Sequence, residues 1–269
     1  MSDPETESPA GPLKKFTVLR QQHAKLFVER EHLIINVKRN IVAGFQRKLG
    51  AHDHALKKAE WEVGRLKREV EMIRDSAGTG DLDYDRIAGV LEEEFDPQEQ
   101  VLDEAPRQIE WANQRLNSMM TLEQTQAHQN RYRRLAELLH PEVRIAGNVT
   151  AENLWRRARE AYAAGDAPEL EAIELLAEDL PPEDAEKASV EDLDRITARL
   201  KAANQNAINE IAAIRKEWPF PLVNKLPDET WVQSQREEYE QKTATLLKER
   251  EALAAELNRI LDARPPVKE

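Results

Sequence analysis

The sequence has no cysteine, few aromatic residues and little glycine. Because none of the 269 residues is cysteine, disulfide bonds and Cys-ligated metal sites are excluded. Aromatic residues make up 5% of the chain and there are nine glycines, whereas charged residues make up 33%. Such a composition is typical of long helices that each bury a single apolar stripe. We therefore expect an all-α protein with no thick globular core.

Long apolar runs and an excess of positive charge are also missing. No stretch is apolar enough to read as a membrane span, and the acidic, proline-rich start "MSDPETESPAGP" does not resemble a signal peptide. The formal net charge of −12 opposes binding to a phosphate backbone. The sequence thus predicts a cytoplasmic protein that binds neither membranes nor nucleic acid.

Apolar residues recur at alternating steps of three and four in the first and last thirds of the chain, which is typical of coiled coils. The cleanest repeat consists of Leu56, Ala59, Val63, Leu66, Val70 and Ile73. Two further stripes lie on either side of the proline-rich stretch "WPFPLVNKLPDE", which cannot stay helical and predicts a turn. A short connection between matched stripes favours antiparallel arms.

These patterns predict an architecture of elongated antiparallel coiled-coil hairpins that flank a small helical module. The predicted segments are a disordered tail at 1–12, an N-terminal coiled-coil arm at 13–96, the helical module at 97–182, a C-terminal antiparallel hairpin at 183–263 and a tail at 264–269.

Motifs that would indicate a catalytic or metal site are weak or incomplete. Asp81, Asp83, Asp85 and Glu92 have the spacing of a calcium loop, but Arg86 occupies the position at which that loop needs glycine. His52 and His54 are two residues apart on a predicted helix, so they point to different faces. The sequence therefore predicts no enzymatic activity, no cofactor and no metal.

Charge is segregated in the middle of the chain. Between residues 131 and 160 there are seven arginines and four glutamates, a net charge of +3, whereas residues 165–194 hold twelve acids and one lysine. A basic patch in an acidic molecule would attract an acidic protein surface. The candidate partner-binding arginines are Arg131, Arg133, Arg134 and Arg144.

The basic segment leads into a predicted helix–loop–helix element with His140, Pro141 and Glu142 in its loop. Its predicted core consists of Tyr132, Leu135, Leu138, Leu139, Leu154, Trp155, Ala158 and Tyr162. The stretches "YRRLAELLHPE" and "AENLWRRAREAY" resemble the second and third helices of a DnaJ-type J domain, over about forty residues. The stretches "EVGRLKREVEMI" and "IRKEWPFPLVNKLPDETWV" extend the resemblance to bacterial J-domain-like proteins with long coiled coils.

The resemblance implies a non-catalytic co-chaperone or adaptor that docks a DnaK-type chaperone through His140, Pro141, Glu142 and the basic helix. Three features depart from the family pattern, and two lie in the loop: Glu142 replaces the usual aspartate, and Val143-Arg144 replaces the usual Lys-Asn. The first-helix signature is also missing, so the helix predicted at 98–119 would have to take its place. The alternative is a structural coiled-coil scaffold in which His140-Pro141 only terminates a helix. Self-association through the coiled coils is a further prediction.

Overall fold

The computed structural model describes residues 10–77, 83–145, 147–180 and 188–263, and the regular elements in these ranges are helical. The all-α prediction is therefore confirmed. The helices are α1 (Ala10–His32), α2 (Lys38–Ala77), α3 (Tyr84–Asp103), α4 (Ala105–Asn117), α5 (Leu122–Leu139), α6 (Val149–Ala164), α7 (Ala167–Glu178), α8 (Val190–Ile214) and α9 (Glu229–Asp262). A π-helical turn, Leu33–Val37, separates α1 from α2, and 3₁₀ turns cover Pro141–Val143 and Phe220–Leu222.

The chain forms two compact units, each assembled from distant parts of the sequence. The first unit comprises Met1–Arg39 and Met119–Pro221, and the second comprises Asn40–Ser118 and Leu222–Glu269. This division differs from the sequence-based one, because the segments at 13–96 and 183–263 each contribute to both units. A heptad stripe shows that a helix has a partner without identifying that partner. The arms of the predicted C-terminal hairpin accordingly belong to different units.

In the second unit, α2 and α3 form an antiparallel coiled-coil hairpin. Trp61 Nε1 donates to the carbonyl oxygen of Phe95 at 3.1 Å, and Arg68 Nε donates to Glu94 at 3.1 Å. At the end of the hairpin, Ile73 packs with Ile87 and Leu91. As residue numbers rise along α2, the numbers of the α3 residues they contact fall, so the two helices are antiparallel.

Helix α9 packs along α2 in the parallel sense. Lys67 Nζ lies 2.7 Å from Glu249, and Arg74 pairs with Glu256, so the offset is 182 residues in both pairs (249 − 67 and 256 − 74). Leu56, Ala59, Val63, Val70 and Ile73 of the predicted α2 stripe are buried. The stripe is thus covered within the described part of this one chain.

The first unit is built around α1, which pairs with α8 and α5. Arg30 Nη1 on α1 donates to Glu210 on α8 at 2.8 Å, and Arg20 Nε donates to the carbonyl oxygen of Glu137 on α5 at 2.6 Å. Helices α5 and α6 form a second hairpin, against which α7 packs. The main core cluster joins α1, α5, α6 and α7.

Local signals explain where several helices begin and end. Thr121 caps α5 in a capping box with Gln124, and Gly165 ends α6 with a left-handed φ of 74°. The N-cap of α6 is Asn148, whose Oδ1 accepts from the Ala151 N–H at 3.0 Å.

Two predicted helix boundaries are wrong. Pro97 lies inside α3, whereas the sequence predicted that a separate helix begins at 98. The residue four positions earlier, Glu93, is exposed, so water can solvate the carbonyl that Pro97 leaves unbonded. The predicted tail at 1–12 is helical from Ala10 onward. Residues 1–9 and the predicted tail at 264–269 lie outside the described residues. Among the described helices, none is long and apolar enough to cross a membrane.

Candidate functional site

The His140-Pro141-Glu142 loop is a tight turn at the end of α5. The His140 N–H still bonds the Ala136 carbonyl oxygen at 3.2 Å, but Pro141 has no N–H with which to continue the helix. The chain turns into the 3₁₀ segment, in which the Val143 N–H donates to the His140 carbonyl oxygen at 3.0 Å. The imidazole Nδ1 of His140 accepts from the Glu142 N–H at 3.2 Å. The His140 side chain therefore caps the N-terminus of the 3₁₀ turn that follows it.

The His140 ring points into the first unit. Its centroid lies 4.6 Å from that of Phe27, 5.1 Å from that of Trp155 and 4.9 Å from that of His23. Burial, together with the positive charge that a protonated His23 would carry nearby, lowers the pKa of His140 to about 3. The ring is therefore neutral at pH 7 and is held by aromatic neighbours.

Helix α1 brings a second histidine against the loop. His23 is 4% exposed, and its Nδ1 lies 2.9 Å from Asn204 Oδ1. Asn204 Nδ2 donates to the Leu19 carbonyl oxygen at 3.2 Å, which fixes the orientation of the amide and makes His23 Nδ1 the donor. Burial lowers the pKa of His23 despite its bond to Asn204 and the nearby Glu142 carboxylate, so its Nε2 carries a lone pair when the ring is neutral.

Helix α8 holds the other side of the loop. Arg199 Nη2 donates to the carbonyl oxygens of Glu142 and Arg144, at 2.9 Å and 3.2 Å. Val143 is fully buried in an apolar cluster with Phe16 of α1 and Leu200 of α8. Pro141 is exposed, and the Glu142 side chain keeps 47% of its surface in solvent. The tripeptide is thus packed between α1 and α8, with only part of its surface open.

Two of the four predicted partner-binding arginines pair with acids of α7. Arg131 Nε and Arg134 Nε contact the two oxygens of Glu174 at 3.0 Å and 2.5 Å, and Arg131 Nη2 lies 3.3 Å from Glu171. The hydrogen bond from Arg134 is the main cause that lowers the pKa of Glu174. The basic and acidic blocks of the sequence therefore meet within the same unit.

The other two arginines have different surroundings. Arg144 Nη1 donates to the Leu138 carbonyl oxygen at 3.1 Å, which folds this side chain back onto the end of α5. Arg133 is partly exposed on α5.

Seven of the eight predicted core residues lie in one buried cluster. Tyr132 stacks on Tyr162 and Trp155 with centroid separations of 4.1 Å and 5.4 Å. Leu138 is the exception, with 39% of its surface exposed. The buried face of α5 passes through Leu135 and Leu139, which are four residues apart, and Leu138 points away from that face.

Helix α4, which covers most of the segment expected to replace the missing first helix of a J domain, belongs to the second unit. In the first unit, α1 packs against α5. Sequence reasoning also missed His23, Arg199 and Asn204, which are far from the tripeptide in the chain. The one feature of the sequence that could have indicated His23 is its place in a largely polar stretch of α1, between Phe16 and Phe27.

A cleft of about 200 Å³ opens onto this site, and its lining includes His23, Phe27, Arg30, His140 and Glu142. Comparison of the chain with protein-family models, with curated proteins and with solved structures finds no match.

Proposed function

We propose that the chain is a non-catalytic helical scaffold in which the His140-Pro141-Glu142 loop is an internal joint. The observation that carries this proposal is the packing of the loop on two sides. Arg199 holds its carbonyl oxygens, Val143 is buried beneath it, and the His140 ring lies among Phe27, Trp155 and His23. A loop built to dock a partner would present these groups to solvent.

The pairing of the arginines supports the same proposal. A guanidinium that already shares a buried or partly buried carboxylate must break that bond before it can meet an acidic partner. Glu174, whose side chain is 18% exposed, holds both Arg131 and Arg134. The electrostatic attraction available to an outside surface is therefore weaker than the arginine count suggests.

The experiment that tests the proposal is steady-state ATP hydrolysis by a DnaK-type chaperone with and without this protein. The scaffold proposal predicts no increase in rate above the chaperone alone, for the wild type and for His140→Gln and Pro141→Ala. A J-domain protein known to stimulate the same chaperone is the positive control. Stimulation by the wild type that both substitutions abolish would overturn the scaffold proposal.

A J-like co-chaperone is the second candidate function, and the open part of the loop favours it. Pro141 is exposed and nearly half of the Glu142 side chain is in solvent, at the point where α5 leads into α6 as the resemblance implies. In this reading, Pro141, Glu142 and Arg133 would touch the chaperone. The same ATPase measurement separates the two candidates, because Pro141→Ala changes an exposed group and His140→Gln changes the ring that packs against α1 and α6.

We further propose that the chain is a monomer, contrary to the self-association predicted from the heptad stripes. The support is that the α2 stripe is buried against helices of the same chain. Size-exclusion chromatography with light scattering should give about 31 kDa, the mass of one chain of 30.9 kDa. A mass of twice that value, stable on dilution, would reinstate self-association.

A further inference from the structure

The Nε2 atom of His23 is buried and has no hydrogen-bond partner among the residues that the structure describes. The side chain is only 5% exposed, and its other nitrogen is committed to Asn204. Buried polar atoms in proteins are nearly always bonded, so an orphaned nitrogen requires an explanation. Oε2 of Glu142 lies 3.1 Å from this nitrogen. Because the bond to Asn204 places the imidazole proton on Nδ1, the Nε2 lone pair of the neutral ring and the carboxylate oxygen are two electron-pair donors that face each other.

The close approach of His23 Nε2 and Glu142 Oε2 matches the geometry of two ligands that bind one metal ion. Bonds of about 2.0–2.1 Å at a tetrahedral zinc ion place neighbouring ligand atoms about 3.3 Å apart, and each lone pair points at the ion and not at the other ligand. His23 Nε2 and Glu142 Oε2 are 3.1 Å apart without a hydrogen bond between them, which is close to that ligand–ligand distance. We propose that His23, His140 and Glu142 form a binding site for a divalent transition-metal ion, with Zn²⁺ as the best-fitting ion.

His140 supplies the third ligand. The candidate ligand atoms of His23, His140 and Glu142 all lie within 4.8 Å of one another. His140 has to give up or rearrange its 3.2 Å bond from the Glu142 N–H when it coordinates. At 3.2 Å that bond lies at the long end of the usual range for an N–H donor, so giving it up costs less than giving up a shorter bond. The pair formed by His23 and Glu142 is therefore preorganised, and His140 closes the site.

The surroundings suit an N₂O site with one open position. Asn204 holds Nδ1–H of His23, which is the outer contact that directs Nε2 of a ligating histidine toward its metal. The cleft beside the three residues leaves room for a water molecule as the fourth ligand. Two imidazoles and one carboxylate are borderline ligands that suit Zn²⁺ better than Mg²⁺ or Ca²⁺.

Nearby charges set the expected strength of binding. Arg30 and Arg199 lie close enough to lower the pKa of His23, and they disfavour a cation. Arg30 is paired with Glu210 and Arg199 is bonded to backbone carbonyls, so each cation is partly balanced. We expect affinity in the micromolar range, weaker than that of a structural zinc site. A bound ion would tie α1 to the loop between α5 and α6.

Zinc titration of the tag-free full-length chain tests the site, with a chromophoric chelator as competitor. The wild type should bind one Zn²⁺, and Co²⁺ in its place should give the intense visible bands of tetrahedral coordination. Glu142→Gln and His23→Gln should each weaken binding about tenfold or more. His52→Gln is the matched control, because His52 lies 3.4 Å from Glu240 in the second unit with no third ligand among the described residues.

Circular dichroism must show that each variant folds before its affinity is compared. If His23→Gln unfolds, Glu142→Gln alone decides, since its side chain is half exposed and its loss should leave the helices intact. The proposal is overturned if the wild type binds no zinc at micromolar concentration. It is equally overturned if Glu142→Gln binds as tightly as the wild type, or if only His52→Gln weakens binding. None of these results depends on whether the chain stimulates a chaperone.

Discussion

Glu174 of α7 accepts hydrogen bonds from two arginines of α5 that are three residues apart. Charge-assisted bonds of this kind are stronger than neutral ones, and the carboxylate here is mostly buried, with 18% of its surface exposed. We expect Glu174→Gln to lower the free energy of unfolding by about 1 kcal/mol at pH 7, measured by urea denaturation.

The pH dependence of this effect follows from the lowered pKa of Glu174. A carboxyl that ionises more readily in the fold stabilises the protein above its unfolded pKa of 4.5 and loses that contribution as the pH falls. The difference between the wild type and Glu174→Gln should therefore shrink below pH 4.5. Glu171→Gln is the control, because that side chain is 63% exposed and its loss should cost less than about 0.5 kcal/mol. Equal losses for the two variants would contradict this account.

Two adjacent leucines provide a sharper test of which face of α5 is buried. Leu139 is fully buried and Leu138 is 39% exposed. Leu139→Ala should destabilise the chain by about 3 kcal/mol, because it leaves a cavity in the core, whereas Leu138→Ala should cost less than about 1 kcal/mol. Thermal and urea unfolding would measure both. Comparable losses would place Leu138 in the core, as the sequence alone predicted.

At the scale of single elements, glycine has opposite effects at two positions. Gly165 ends α6 with φ at 74°, and a Cβ there would lie 3.0 Å from Met120 Cε. Gly89 lies inside α3 and a Cβ there would meet nothing within 4 Å. Gly165→Ala should destabilise the chain by about 1 kcal/mol, and Gly89→Ala should stabilise it by about 0.5–1 kcal/mol. Differential scanning calorimetry should show a lower melting temperature for Gly165→Ala and a higher one for Gly89→Ala. Shifts of the same sign would contradict the assignment of Gly165 to a helix end and of Gly89 to a helix interior.

The elements were more predictable than their partners because helix signals are local. Thr121, Gln124 and Gly165 lie within a few residues of the ends they define, so the sequence indicates the start of α5 and the end of α6. The prediction at Pro97 was wrong because the free-energy cost of a proline inside a helix depends on whether the carbonyl that it leaves unbonded reaches water. That depends on packing, which a single sequence does not display.

At the scale of the whole molecule, the parallel pairing of α2 with α9 can be measured, because the residues of their ion pairs are 181 to 188 positions apart along both helices. The chain has no native cysteine, so engineered pairs report contacts without background. Double variants Lys67→Cys with Glu249→Cys, and Arg74→Cys with Glu256→Cys, should both cross-link with a short bifunctional reagent. Arg74→Cys with Lys242→Cys is the control, because that pair would be close only in an antiparallel arrangement. A cross-link in this control in place of the second pair would contradict the parallel pairing.

The site itself could be predicted only in part. The core of the α5–α6 hairpin follows from helical spacing, since Tyr132, Leu135 and Leu139 share one face. The inward direction of His140 does not, because it depends on Phe27 and His23 of α1 and on Arg199 of α8. These residues come together only when α1 and α8, which are far apart in the sequence, pack together in the first unit. No local pattern around the tripeptide contains that information.

The central claim is that the His140 ring packs inward against α1 and α6, and NMR titration of its imidazole tests it most directly. In the folded chain, with chelator present, the ring should stay neutral down to pH 5, because burial lowers its pKa to about 3; in urea it should titrate near 6.5. The sign is that of a group protonated more readily in the unfolded chain, so the fold loses stability as the pH falls below 6.5. A folded-state midpoint between pH 6 and 7 would show the ring in solvent and would contradict the account.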